Sequence, residues 1–261
     1  MIGPNAEETA SPMITPELIA QWQRDEAAPF QGWDFSYIAG RMVEEGPPWD
    51  YPMLARRLIA SSAALLDMDT GGGEVLATLA PFPGRAMAIE GYAPNLTLAE
   101  KRLRPLGVEV FAAGEAGFLK FEDASFDLVI NRHGGFRITE VSRVLKPGGT
   151  FLSQQVAGDS LVDLQARFGA VHKWPDNMLG VVSRNAEAAG LKIIRGETWH
   201  GTKRFSDVGA LVYCLKAVPW LVDGFSVERH LAILSELQEE LERDGQLAFA
   251  ESWFLLIAEK T

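Results

Sequence analysis

The chain has 261 residues, of which 47% are hydrophobic, and its formal net charge is −11. A chain of this length buries one large core, so we expect one domain with decorations. The negative charge disfavours binding to nucleic acid or to an anionic membrane, since both repel an acidic surface.

The single cysteine, Cys214, cannot form an internal disulfide, which fits a reducing compartment. The first residues are acidic and lack a basic or apolar leader region, and no apolar run approaches the roughly 18 residues of a membrane span. We therefore predict a cytoplasmic protein.

Residues 1–60 are predicted to form an N-terminal cap ahead of a core at residues 61–261. Short helices are expected over residues 17–26 and 52–64, with a segment rich in aromatic residues between them. Such a segment suits a lid over a ligand, and we predict that Trp33 and Tyr37 contact the substrate. Simple packing of the same rings on the main body fits the pattern as well.

Strands and helices then alternate along the rest of the chain, which predicts a doubly wound, Rossmann-like α/β sheet that is mostly parallel. We expect an insertion at about residues 158–176 to overhang the edge where the strands end. The predicted strands are 63–68, 85–89, 108–112, 126–131, 150–156, 191–198 and 247–258, and the helices are 93–106, 139–145, 160–168, 177–189, 206–217 and 227–243.

The stretch LLDMDTGGGEVL, residues 65–76, predicts a buried strand, a glycine turn and the start of a helix. Glycine has no Cβ, so such a turn lets backbone N–H groups approach a ligand closely. The next strand ends in Glu90, at about the 20-residue spacing at which an acid meets a ribose hydroxyl. Acids at two successive strand ends predict a nucleoside site.

Ligands of parallel sheets bind beyond the carboxyl ends of the strands. The polar residues expected along that edge are Asp67, Glu90, Glu115, Asn131 and Gln155. A dehydrogenase would need Gly or Ala at the sixth position from Gly71, where Leu76 stands, and no phosphate-binding Gly-Lys-Ser/Thr follows the turn. The four histidines are scattered, so we predict no metal site.

Four segments, LLDMDTGGGE, AIEGYAPN, GEAGFLKFEDASFDLVINRHG and EVSRVLKPGGTFL, resemble the class I S-adenosylmethionine-dependent methyltransferases of the small-molecule type with a leading helical cap. The resemblance implies a seven-stranded sheet with its last strand antiparallel. It also implies S-adenosylmethionine as cofactor, S-adenosylhomocysteine as product, and a small-molecule substrate whose N, O or C atom attacks the methyl group in line.

The cofactor contacts carried over from the family fall on three parts of the sequence. The methionine part is expected over the turn at Asp67, Asp69, Thr70, Gly71 and Gly73, with Asn131 and Arg132 beside the methyl group. The ribose and adenine are expected at Glu90, Gly91 and Tyr92, with Glu115 and Ala116 at the adenine edge.

One residue departs from the family's acid-x-Gly-x-Gly-x-Gly turn, because Asp69 stands at the first glycine. Its side chain either crowds the cofactor or pairs with the cofactor's ammonium group. Two hypotheses therefore remain: a small-molecule methyltransferase, and a methyltransferase-fold protein whose cofactor site is altered or put to another use. An RNA methyltransferase is a third, weaker interpretation.

The transfer needs positioning, desolvation and, for a protonated acceptor, a base. We predict His133 as the base, because it follows the fourth core strand and an imidazole titrates near neutral pH. Gln155 is predicted to orient the substrate, although Gln154 is its alternative. Asp159 and Trp174, in the insertion, complete the predicted substrate contacts, and Asp159 also suits a helix cap.

Overall fold

The computed structural model describes residues 14–114 and 117–261, so the predicted adenine contacts Glu115 and Ala116 lie outside the described residues. Within the described residues, one sheet contains eight strands. They are β1 (Met42–Glu44), β2 (Ala64–Met68), β3 (Arg85–Glu90), β4 (Val108–Ala112), β5 (Phe126–Arg132), β6 (Leu145–Val156), β7 (Leu191–Phe205) and β8 (Leu247–Lys260).

Helices cover both faces of this sheet and its extended end. They are α1 (Pro16–Ala27), α2 (Tyr51–Ala60), α3 (Glu74–Ala77), α4 (Ala93–Leu103), α5 (Ile138–Val144), α6 (Val162–Arg167), α7 (Leu179–Ala188), α8 (Val208–Ala217) and α9 (Leu231–Asp244). No helix in the described ranges is long and apolar enough to cross a membrane.

The strand order is β1-β7-β8-β6-β5-β2-β3-β4. Strands β2 to β6 run parallel, whereas β8 is antiparallel to both of its neighbours. The chain proceeds outward from β2 to β4 and then returns to β5 on the other side of β2. This reversal leaves a crevice at the ends of β2 and β5, where Met68 lies opposite Asn131 in register.

The predicted α/β class is confirmed, but the sheet has one strand more than the seven predicted. The extra strand is β1, which pairs antiparallel with the end of β7. It has only three residues and lies near glycine and proline, so its sequence pattern is too short to signal a strand. It forms because β7 and β8 extend beyond the other strands and present a free edge.

Alternating side chains of the central strands build a separate core on each face of the sheet. Leu65 packs with α2, α3 and α4, whereas Leu66 packs with α5 and α7. A third apolar cluster joins α1, α6, α8 and α9 to the extended ends of β7 and β8. Residues before the first core strand therefore pack with helices from late in the chain.

Candidate functional site

The glycine turn after β2 is held in place by a carboxylate at the end of β3. Glu90 Oε2 accepts a hydrogen bond from the Gly71 N–H at 2.7 Å, and Glu90 Oε1 accepts one from the Tyr92 N–H at 2.7 Å. Gly73 adopts φ of +78°, and a Cβ there would lie 2.8 Å from Leu103 Cγ. The turn therefore requires glycine at this position and packs directly against α4.

Asp69 adopts the left-handed conformation of the glycine that it replaces in the family pattern, with φ of +55°. Aspartate tolerates this region better than most side chains do. Its carboxylate lies against the loop after β5, where it accepts a hydrogen bond from the Gly135 N–H. A Cβ added at Gly134 would overlap the Asp69 side chain, so this loop depends on glycine to approach the turn.

Three carboxylates, those of Asp67, Asp69 and Glu90, interact at the ends of β2 and β3. Burial raises the pKa of Asp67 to about 7, with further increases from the charges of Asp69 and Glu90. Burial, followed by the charge of Glu90, raises the pKa of Asp69 to about 6. A ligand that brings positive charge to this cluster would relieve the repulsion. The three carboxylates do not form a metal-ligand group, and none was found among the described residues.

Glu90, the predicted ribose contact, follows Ile89, which lines a recess at the ends of β3 and β4. Tyr92 is 64% exposed, so its ring is available to a ligand. The recess has a volume of about 220 Å³. Its lining includes Ile89, Phe111, Ala112, Gly114 and Phe118.

A larger cleft of about 610 Å³ opens on the other side of the glycine turn. Residues of α3, of the strand ends and of the segment leading into α2 line it together. They are Gly46, Pro47, Trp49, Asp50, Tyr51, Pro52, Glu74, Val75, Thr78, Arg132, Gln154 and Trp253. The cleft thus adjoins the turn, and three of its twelve lining residues are aromatic, a kind of side chain that small-molecule sites commonly contain.

His133 is tied to this cleft by a chain of hydrogen bonds. The Trp49 indole N–H donates to Gln154 Oε1 at 2.8 Å, so the amide nitrogen of Gln154 points the other way. That nitrogen lies 3.0 Å from His133 Nε2 and donates to it, which places the imidazole proton on Nδ1. Burial, aided by the charges of Arg132 and Lys203, lowers the His133 pKa well below its usual value, so the ring is neutral.

Of the two glutamines at the end of β6, Gln154 lines the cleft, whereas Gln155 lies in a buried polar cluster. The Gln155 amide donates to Asn131 Oδ1 and, at 2.9 Å, to Ser153 Oγ. Asn131 in turn donates to the Met68 carbonyl at 2.9 Å and so joins β5 to β2. The roles predicted for Gln155 and Asn131 remain predictions.

Each predicted substrate residue contacts another residue of the chain. Trp33 stacks on Trp220 with ring centroids 5.9 Å apart, and Trp174 meets the edge of the same ring at 6.5 Å. The Tyr37 hydroxyl donates to Asp25 Oδ1 at 3.0 Å. Asp159 instead accepts a hydrogen bond from the Ser252 hydroxyl. The structure therefore brings Trp33 and Trp174 together on Trp220, and the contact of all four residues with substrate stays a prediction.

The sequence analysis missed several residues that line the cleft. Trp49 and Tyr51 belong to the same aromatic segment as the predicted contacts Trp33 and Tyr37. The sequence feature that could have identified them is their position at the start of α2. Trp253 lies opposite Val156 at the end of β6, so it could be placed only once the pairing of β8 was known. Tyr51 is close enough to the turn for the charge of Asp67 to raise its pKa, after burial.

The strand order and the switch-point crevice define the class of fold, which known structures share. A solved structure from Bacillus halodurans C-125 matches with a TM-score of 0.58 and 21% identity, covering 80% of this chain and 98% of that chain. An S-adenosylmethionine-dependent methyltransferase from Geobacter sulfurreducens, solved with S-adenosylhomocysteine, matches with a TM-score of 0.50 and 16% identity, covering 81% and 90%. At these identities the likeness establishes the fold.

Residues 66–153 match the family model of a methyltransferase domain. A Mycobacterium tuberculosis (strain ATCC 25177 / H37Ra) protein, phthiotriol/phenolphthiotriol dimycocerosates methyltransferase, is 32% identical over 133 residues, covering 41% of this chain and 49% of that protein. The chain thus spans about half the length of the curated relatives it matches. The match over residues 66–153 confirms the predicted resemblance to a methyltransferase domain.

Proposed function

We propose that the protein binds S-adenosylmethionine and transfers its methyl group to a small molecule in the cleft. The observation that carries the proposal is the carboxylate cluster at the glycine turn. Asp67, Asp69 and Glu90 meet where the family holds a positively charged cofactor, and two of them have raised pKa values. Gly71 and Gly73, both at positive φ, keep two positions of the turn free of side chains. The residues present therefore fit the cofactor.

When bound, the cofactor supplies an activated methyl group on a positively charged sulfur. The chain's own contribution would be to bind the positively charged cofactor with opposite charge, to orient the acceptor and to exclude water. Asp69 and Asp67 provide the charge. Trp49, Tyr51 and Trp253 provide an apolar wall from which water is excluded.

For an acceptor that carries a proton, we propose His133 as the base. Its lowered pKa keeps the imidazole neutral, which is the state that a base requires. The Nε2 lone pair is held by the Gln154 amide, so uptake of a proton there requires this amide to turn away. Because Trp49 holds the Gln154 amide in place, proton uptake by His133 also requires the hydrogen bond between Trp49 and Gln154 to break.

The name of the mycobacterial relative gives dimycocerosate acceptors for that protein. A small-molecule acceptor for this chain agrees with that name and with the size of the cleft. We keep the cytoplasm as the expected compartment, on the strength of the single cysteine.

The proposal is tested by measuring S-adenosylhomocysteine binding to the wild type and to Glu90→Ala. We expect affinity to fall at least tenfold in the variant, because the carboxylate both fixes the turn and faces the proposed ribose position. Glu109→Ala is the matched control, since Glu109 is an exposed carboxylate on the neighbouring strand β4. Equal affinity in the wild type and Glu90→Ala would contradict the proposal.

The alternative function, a methyltransferase fold without methyl transfer, is favoured by one observation. The Asp69 carboxylate fills space between the glycine turn and the Gly134 loop, beside the proposed methionine position. If this carboxylate blocks the cofactor, Asp69→Gly gains affinity. If it pairs with the cofactor's ammonium group, as we propose, Asp69→Gly loses affinity.

A further inference from the structure

One charged side chain in the cleft has no partner among the described residues. Of the charged residues that line the cleft, Asp50 caps α2 by accepting from the Met53 N–H, and Glu74 pairs with Arg102 at 2.6 Å. Arg132 is half-buried, and its guanidinium makes no hydrogen bond or ion pair to any described residue. A guanidinium withdrawn from water without a carboxylate is costly unless a ligand pairs with it.

Arg132 is the last residue of β5, and no ion pair joins it to the carboxylates at the glycine turn. The charges that act on its pKa are those of Tyr51 and Glu44, while burial lowers that pKa. Tyr51 is influenced by both Asp67 and Arg132. The cleft thus has negative charge toward the turn and positive charge toward the end of β5, with the Tyr51 phenol influenced by both.

The other charged groups near Arg132 are paired with one another. Lys203 is nearly buried and pairs with Glu44 at 2.6 Å and with Glu251 at 2.9 Å. Glu44 is therefore held by a lysine and is not a salt-bridge partner of Arg132. An incoming anion would meet a guanidinium that forms no ion pair with any side chain in the described part of the chain.

The walls beside Arg132 are flat and apolar. Tyr51 is 3% exposed. The Trp49 indole N–H donates to Gln154, so the Trp49 ring has only apolar contacts left to offer a ligand. The Trp253 and His133 rings pack edge to face, with ring centroids 4.8 Å apart. Aromatic side chains in the lining favour contact with a planar ring, and a volume of about 610 Å³ admits a molecule of a few fused rings.

We propose that the methyl acceptor is a planar aromatic anion, whose carboxylate or similar group is bound by the Arg132 guanidinium. A guanidinium forms two parallel hydrogen bonds with a carboxylate, which fixes orientation as well as charge. This inference rests on the proposed function, because it identifies the kind of molecule that the methyl group reaches. It assigns Arg132 to the acceptor, whereas the family resemblance placed it beside the cofactor.

The test compares two probes that share one ring system, 2-naphthoate and 2-naphthamide, by titration into the wild type, Arg132→Gln and Arg132→Lys. Each titration is made with and without saturating S-adenosylhomocysteine. We expect the wild type to bind the carboxylate at least tenfold more tightly than the amide. Arg132→Gln should reduce this preference below twofold, and Arg132→Lys should keep part of it.

Arg57→Gln serves as the charge-matched control, because Arg57 lies exposed on α2, and it should keep the full preference. Circular dichroism shows whether each variant is folded. If Arg132→Gln does not fold, the comparison of Arg132→Lys with the wild type still tests the inference. Equal affinity of the wild type for both probes, or no binding of either, would overturn the inference. So would a preference that persists in Arg132→Gln.

The same titrations keep this inference distinct from the proposed function. A tenfold loss of S-adenosylhomocysteine affinity in Arg132→Gln would place the guanidinium on the cofactor's own carboxylate and overturn the acceptor assignment. Failure of the wild type to bind S-adenosylhomocysteine would contradict the proposed function instead. The probe preference measured without that ligand would then still decide whether Arg132 binds an anion.

Discussion

At the scale of single residues, His133 combines an unusual backbone with an engaged side chain. Its φ is +58°, its N–H donates to the Gln154 carbonyl at 2.8 Å, and its ring accepts from the Gln154 amide. Both parts of the residue are thus fixed to the end of β6. Such a constraint suits a group that must meet a reacting atom in one orientation.

We predict that His133→Asn lowers kcat about 100-fold for an acceptor that loses a proton. Asparagine tolerates the left-handed backbone, so the variant removes the imidazole without straining the loop. S-adenosylhomocysteine affinity should stay within threefold of the wild type. The control is His200→Ala, an exposed imidazole on β7. An unchanged kcat in His133→Asn would exclude His133 as the base.

The carboxylates at the turn make cofactor binding depend on pH. Asp67 and Asp69 have folded-state pKa values of about 7 and about 6, above the usual 3.8. At these two carboxyl groups the folded protein therefore holds more protons than the unfolded chain between about pH 4 and pH 7, and their contribution to stability falls as pH rises through this window. A positively charged ligand favours the ionised carboxylates, so its affinity changes in the opposite sense.

We predict that S-adenosylmethionine affinity rises at least fivefold between pH 5.5 and pH 7.5, because cation binding requires these carboxylates to ionise. Titration calorimetry at several pH values measures this change. Asp69→Asn should flatten the dependence, whereas Glu187→Gln, at an exposed carboxylate on α7, should not. An affinity that is flat across this range in the wild type would count against the acidic site.

At the scale of elements, α1 is attached to α8 through a buried ionic contact as well as through apolar packing. Asp25 is fully buried, and Arg41 pairs with it at 3.2 Å and with Asp207, the cap of α8, at 2.6 Å. Tyr37 donates to the same Asp25 carboxylate. The segment that leads from α1 to β1 is therefore anchored to late parts of the chain.

We predict that Arg41→Met lowers the free energy of unfolding by about 3 kcal/mol, because it leaves the Asp25 carboxylate buried without its cation. Urea unfolding followed by tryptophan fluorescence measures the change. Arg243→Met is the control, since Arg243 and its partner Asp244 are exposed and their pairing should matter little. A loss below 1 kcal/mol in Arg41→Met would show that this contact does not anchor α1.

At the scale of the whole molecule, the sequence sufficed for the parallel half of the sheet. Runs such as Phe126–Arg132 have a buried apolar centre, and polar residues or glycines mark the strand ends, so local pattern identifies them. The glycine turn and Glu90 followed from spacing along one βαβ unit. These features depend on residues that are close together in the sequence.

The acceptor cleft could not be predicted, because its walls come from distant parts of the chain. Trp49, Gln154 and Trp253 meet only after β8 inserts beside β6 and the segment before α2 folds over both. The choice between Gln154 and Gln155 likewise depends on the face that each presents. Which residues meet across such long stretches of sequence is set by the fold and not by a local pattern.

The central claim is that the site accepts S-adenosylmethionine with Asp69 in place of glycine. Calorimetric titration of S-adenosylmethionine into the wild type and Asp69→Gly tests it most directly. We predict micromolar binding by the wild type, or about −8 kcal/mol, and at least tenfold weaker binding by Asp69→Gly. No binding by the wild type, with binding gained in Asp69→Gly, would contradict the account and identify Asp69 as a block.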